Sequence, residues 1–207
     1  MNSLRAASGF CVVLCVLLVG LVGCSERPKL ARLPSDAVVL AFGDSLTYGT
    51  GAAEEESYPA QLERLIGRRV VRAGIPGEVT AQAVKRLPQL IDEHSPRLVL
   101  LCIGGNDFIR RLDSAQAEAN VRAMVALARE RGIEVLLIGT PQPGLSVSAP
   151  AFFAAIAEEF RLPYEADVIA EVLTDNRLKS DLIHPNARGY RVIAERVAER
   201  LKQSGAI

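Results

Sequence analysis

Three polar residues stand where nucleophilic chemistry could arise in this half-apolar chain: Ser45, Asp181 and His184. Ser45 follows the apolar run 38–42 directly, in a Gly-Asp-Ser turn that Gly43 can make tight. A serine so placed can present its hydroxyl to a crevice, although the same position also suits a serine that caps the next helix. A hydroxyl is a weak nucleophile at neutral pH and needs a base beside it. The Asp-x-x-His spacing of Asp181 and His184 can supply one. In a loop both side chains can turn the same way, so that the carboxylate accepts from one ring nitrogen, fixes the tautomer and leaves the other nitrogen facing a serine. A surface histidine beside a turn-capping aspartate has the same spacing. His94, next to Ser95-Pro96 near a helix end, fits that plainer pattern.

Acyl transfer also needs donors aimed at the developing oxyanion. Three are available: the backbone N–H of Ser45, the backbone N–H of Gly77 and the side-chain amide of Asn106. Asn106 lies in a Gly-Gly-Asn-Asp turn, where its side chain could instead satisfy its own backbone. Asp44 and Asp107 flank these groups and are expected to brace loops rather than to move protons. A rival arrangement would use Asp44, Asp107, Asp181 and His184 as ligands of a metal-dependent phosphoesterase. The serine reading requires neither metal nor cofactor.

These residues need a scaffold that brings distant turns to one edge. Short apolar runs at 38–42, 69–72, 98–103 and 133–138, with a brief fifth at 162–164, read as strands. Between them, 58–66, 80–94, 114–131, 149–160 and 187–201 read as helices. Ser57 and Pro59 suit the start of the first of these, Pro88 should end or kink the second, and Gly132 stops the third. Strands apolar on both faces and alternating with helices imply a parallel sheet covered on both sides. In such sheets a site forms beyond the carboxyl ends of the strands. The glycine-rich turns at 43–45, 74–77 and 104–107 all fall on that edge.

GDSLTYGTGA (43–52), AGIPGEVT (73–80), GGNDFIR (104–110) and DLIHPNARGY (181–190), in this order and spacing, resemble the four blocks of the SGNH, or GDSL, hydrolases. The likeness spans residues 37–203 and is to the small bacterial branch of arylesterases and the multifunctional acyl thioesterase and lysophospholipase. It implies a flavodoxin-like, three-layer α/β/α sandwich with a five-stranded parallel sheet. It also implies that Ser45 is the nucleophile, His184 the base and Asp181 its orienter, with Ser45, Gly77 and Asn106 forming the oxyanion hole. Substrates would be small acyl esters, thioesters or lysophospholipids. Two departures bear on the second block. Arg72 stands where the family usually has Asn, and Pro76-Gly77-Glu78 where it commonly has Ser-Gly-Asp. The proline stiffens that loop and removes one donor. The stretch 141–150 is the expected variable wall of the acyl pocket. Its Leu145 and Val147, with Phe108 nearby, favour a fatty or aryl acyl chain over a sugar acetate. A carbohydrate acetylesterase and a non-catalytic envelope lipoprotein on the same fold are the other readings.

Composition and the amino terminus bound these readings. The 207 residues make one domain, and a formal net charge of zero offers no excess of cations to neutralise the phosphates of a nucleic acid. Tryptophan is absent and aromatics make up 5%, which argues against a base-stacking platform. Arg5, the apolar run 10–22 and the ending Leu21-Val22-Gly23-Cys24 resemble a bacterial lipoprotein signal. That reading gives a signal peptide at 1–23, lipidation at Cys24, a tether at 24–36 and a hydrolase domain at 37–207. An uncleaved anchor or an ordinary export signal are its alternatives. Ser25, rather than aspartate, after the cysteine points to the outer membrane facing the periplasm, with the lipid-anchored chain a monomer of the cell envelope. Cys102 is then the only free thiol, and its apolar surroundings make it a small hydrophobe rather than a nucleophile.

Overall fold

Strands that are apolar on both faces can be satisfied only by cover on both sides, and the chain supplies it by alternating strand and helix. A computed structural model describes residues 28–142 and 147–207. The signal segment, Cys24 and Leu145 lie outside the described residues. The elements run β1 (Val38–Gly43), α1 (Ser45–Tyr48), a 3-10 turn (Glu54–Glu56), α2 (Tyr58–Ile66), β2 (Arg69–Gly74), α3 (Thr80–His94), β3 (Leu98–Cys102) and α4 (Gly105–Ile109). They continue with α5 (Ser114–Glu130), β4 (Glu134–Ile138), α6 (Ala151–Glu159), β5 (Tyr164–Glu165), α7 (Val168–Thr174) and α8 (Ala187–Gln203). The five strands are all parallel, in the order β2-β1-β3-β4-β5. This is the expected three-layer α/β/α sandwich.

Side chains alternate across the sheet and build two cores. Val39, Ala41, Leu98, Leu100, Cys102 and Leu136 pack with α2, α7 and α8 on one face. Leu40, Phe42, Val99, Leu101, Val135 and Leu137 pack with α3, α5 and α6 on the other. On α8, Tyr190, Ile193, Ala194, Val197 and Leu201 are buried, the spacing of one helical face. α3 covers the expected span, Thr80–His94, with Pro88 inside it, so of the two expected effects the proline does not end the helix. Ala83, Leu87 and Ile91 hold one face of α3 in the core, and that burial outweighs the hydrogen bond that Pro88 cannot make. The fifth strand shrinks to two residues, beginning two places and ending one place later than expected.

β1 lies between β2 and β3, so the chain leaves β1 toward one side of the sheet and returns across it to reach β3. Loops after β1 and β3 therefore diverge and open a crevice between them at the carboxyl edge. Gly43 ends β1 in register with Cys102. A side chain there would sit 2.0 Å from the Cys102 carbonyl oxygen, so only glycine lets the two strand ends close up.

The amino-terminal stretch contributes to the first core. Leu30 and Leu33 are buried, and their N–H groups donate to the carbonyls of Ser204 and Ala206 at 2.9 and 2.8 Å. Leu33→Ala should lower stability by about 2–4 kcal/mol, because a filled site would become a cavity. Lys29→Ala on the exposed side should stay within about 0.5 kcal/mol of the parent in the same urea titration. Equal, small effects would mean that the stretch is not part of the cooperative unit.

Candidate active site

Three loops at the carboxyl edge bring the polar residues together. Asp44, not Ser45, is the N-cap of α1: its Oδ1 accepts from the Leu46 N–H at 3.1 Å. Ser45 is thereby left free of capping duty. Its half-buried hydroxyl lies 3.1 Å from His184 Nε2, a contact across 139 residues of sequence.

The loop that carries His184 is closed by its own aspartate. Asp181 Oδ1 accepts from the N–H groups of Ile183 and His184, both at 2.8 Å. Its Oδ2 meets His184 Nδ1 at 2.8 Å. Burial alone would raise the Asp181 carboxyl, but the imidazole and the two amides outweigh it and hold the group below its ordinary value. An ionised Asp181 accepts from Nδ1–H, which leaves Nε2 as the acceptor for the Ser45 hydroxyl. The geometry thus joins carboxylate, imidazole and hydroxyl in the order that nucleophile activation needs.

Asn106 faces the same cavity but does not serve its own backbone. Its Nδ2 donates to the Glu78 carbonyl at 3.0 Å and to Asp44 Oδ2 at 3.3 Å. Glu78 is buried and held by Arg86, whose guanidinium also covers the Phe42 ring at 4.3 Å. Gly77 lies on the loop after β2 and is absent from the cavity lining. Its carbonyl accepts from Arg110 at 2.7 Å. The substitution of Pro76 is accommodated there. Glu78 N–H donates to the Ile75 carbonyl and Gly77 has φ +80°, the pattern of a type II turn with proline and glycine at its two central positions. Arg72 reaches away from this turn, donating to the Tyr48 carbonyl at 2.6 Å and pairing with Glu54 at 2.8 Å.

The two flanking aspartates brace loops, as expected. Buried Asp107 accepts from the Thr80 N–H and hydroxyl at 2.9 and 2.7 Å, fixing the start of α3. The four residues of the phosphoesterase reading are thus spread over separate contacts, and among the described residues no three such side chains are grouped as metal ligands. His94 ends α3, at the opposite edge of the sheet. Cys102 is fully buried, and burial pushes its thiol well above the usual range.

A cavity of about 370 Å³ opens beside Ser45 and Asn106. Its walls are mainly apolar: Leu46, Ile109, Pro141, Val147, Leu173, Leu182 and Ile183. Val147 lines it as expected, but Phe108 does not. It packs against Phe152, with ring centroids 6.2 Å apart, and its neighbour Ile109 faces the cavity instead. Leu46, Leu173 and Ile183 were not foreseen. Leu46 and Ile183 adjoin motif residues, whereas nothing in the local sequence of Leu173 signals the role.

The GDSL-like Lipase/Acylhydrolase family profile matches residues 41–192. "Esterase TesA" of Pseudomonas aeruginosa is 29% identical over 88% of this chain and 96% of its own. "Thioesterase 1/protease 1/lysophospholipase L1" of Escherichia coli K12 is 31% identical over 83% of this chain and 86% of its own. The crystal structure of TesA superposes with a TM-score of 0.71 at 28% identity, covering 80% of this chain and 98% of that one.

Asp44 generates a pH prediction. Burial, reinforced by Glu78 and Asp107, raises its carboxyl from 3.8 to about 7 against the lowering effects of the Leu46 N–H and His184. Between those pH values the folded protein holds a proton that the unfolded chain releases. The associated stability is full below pH 3.8 and is lost as pH rises through about 7. Asp44→Asn should therefore gain stability relative to the parent as pH rises across this window. Parallel urea-derived profiles for the two proteins would refute the assignment.

Proposed function

The chain belongs to the GDSL-like lipase/acylhydrolase family and hydrolyses carboxylic esters or thioesters, and we propose that Ser45, His184 and Asp181 carry out that hydrolysis. The observation that carries this reading is the unbroken hydrogen-bonded line from Asp181 through both ring nitrogens of His184 to the Ser45 hydroxyl. Ser45 Oγ attacks the acyl carbonyl while Nε2 of His184 takes its proton. The imidazolium, held against Asp181, then protonates the departing alkoxide or thiolate and an acyl-Ser45 ester remains. Water deprotonated by His184 attacks that ester, and the acid leaves with Ser45 restored.

The Ser45 N–H and the Asn106 amide, both at the cavity, stabilise the tetrahedral oxyanion, and the Gly77 N–H, outside the cavity lining, is the third donor that the family resemblance implies. The Ser45 N–H opens α1, where helical N–H groups lack an acceptor within the helix. Asn106 has both amide hydrogens engaged, and its longer bond, to Asp44, is the one that the oxyanion replaces. The apolar cavity takes the acyl chain, which supports fatty or aryl acyl groups over sugar acetates. Arylester, acyl thioester and lysophospholipid substrates all satisfy this requirement. The amino-terminal signal supports a lipid on Cys24 and residence at the outer membrane, facing the periplasm.

Ser45→Ala and His184→Ala should each lower kcat for p-nitrophenyl esters by roughly four to six orders of magnitude and abolish labelling by a fluorophosphonate. Labelling of a folded Ser45→Ala protein would overturn the assignment. Asn106→Ala should cost about 10²–10³ in kcat, the loss expected for one oxyanion donor.

Across an acyl-chain series of p-nitrophenyl esters, medium and long chains should exceed acetate in kcat/KM. Carbohydrate acetates that outperform all of them would reject the apolar acyl site.

A further inference from the structure

The chain enters the domain at the end farthest from the candidate active site. Leu30 N–H donates to Ser204, just beyond the end of α8, and Ala31 N–H to Glu134, the first residue of β4. Both contacts lie at the amino edge of the sheet. His184 stands three residues before the start of α8 and faces Ser45 at the carboxyl edge. The 17 residues of α8 separate these two ends by about 25 Å. Only six residue steps lie between Cys24 and Leu30, and even fully extended they span at most about 22 Å.

Resting on the reading of Cys24 as the lipid-bearing residue, we propose that the anchored domain stands on its membrane by the amino edge, with the cavity mouth turned away. With the mouth pressed squarely onto the same leaflet, Leu30 would stand about 25 Å from the lipid, beyond the roughly 22 Å that the tether spans. The enzyme therefore draws acyl substrates from the compartment in front of it and does not hydrolyse lipids of the leaflet that holds it. The mouth suits that direction. Leu182 is 85% exposed, and Ile109 and Ile183 are 45% and 42% exposed, so an incoming acyl chain meets an apolar lip continuous with the cavity wall.

The orientation can be measured on the full lipidated chain in phosphatidylcholine–phosphatidylglycerol vesicles. A fluorophore on Leu182→Cys at the mouth, or on Lys202→Cys at the amino edge, would report energy transfer to acceptor-labelled lipid headgroups. Cys102 is buried and stays unlabelled. Transfer should be several-fold stronger from position 202. Inserting about twenty Gly/Ser residues between Glu26 and Arg27 should remove most of the difference, because the tether then exceeds the height of the domain. Ile109→Cys is the substitute mouth position if Leu182→Cys does not fold. Equal transfer at native tether length overturns the orientation. Mass spectrometry of the amino-terminal peptide tests the premise separately. An unacylated Cys24 overturns the anchored orientation, whereas the hydrolase reading is judged by ester turnover in the same preparation.

Discussion

The Ser45–His184 hydrogen bond joins two turns 139 residues apart, and much of the architecture serves to make that contact possible. A bond of this kind contributes little net free energy, far too little to organise a chain by itself. The scaffold must bring its two atoms together first. Placing β1 between β2 and β3 opens the crevice into which Ser45 points. Packing of α8 against α2 and the sheet then sets where the His184 loop emerges. Tyr190 on α8 donates to the Thr50 carbonyl at 2.7 Å, tying the helix after His184 to the segment after Ser45. Cores on both faces of the sheet thus determine a separation of a few ångströms at its edge.

Two carboxylates near this contact show how environment divides their roles. Asp181 is about half exposed and meets one imidazole and two amides, so its charge is supported and it can stabilise an imidazolium. Asp44, nearer the core, is buried and accepts from one backbone amide and from Asn106. Burial favours its neutral form strongly enough to bring its titration close to neutrality. One is suited to holding charge during turnover, and the other to holding the α1 turn and the Asn106 amide in place. Their residue type alone would not distinguish them.

What could be read from the sequence follows the range of the forces involved. Strands β1, β3 and β4 and helices α2, α5 and α8 carry enough apolar periodicity to be recognised alone. Asp181 and His184 were legible because their contacts close within four residues. α1 and α4 were not, since helices of four and five residues contain barely one turn of periodicity. Pro88 leaves α3 uninterrupted because tertiary burial of Ala83, Leu87 and Ile91, which no local cost of proline includes, offsets the lost hydrogen bond. Phe108 and Ile109 are separated for a related reason: adjacent residues on a helix point about 100° apart, and only tertiary packing decides that Ile109 is the one that turns toward the cavity. The Asn106–Asp44 and Asn106–Glu78 contacts cross 62 and 28 residues, beyond any local pattern.

The opposite edges of the sheet are under different constraints, and this separation is the clearest link between fold and function. At the carboxyl edge, short loops carry a buried carboxyl, an amide engaged by two acceptors and a leucine exposed at the cavity mouth. At the amino edge, Leu30 and Leu33 fill core positions and their backbone groups pair with the carboxyl terminus. Stability can therefore be secured at one end without fixing the other. In a parallel sheet every strand points the same way, so the reactive loops share one edge while the incoming chain is free to dock at the other. An attachment at the amino end consequently leaves the mouth unobstructed. Had Leu30 docked beside α1, the same tether would have held the mouth against whatever surface carried the amino terminus.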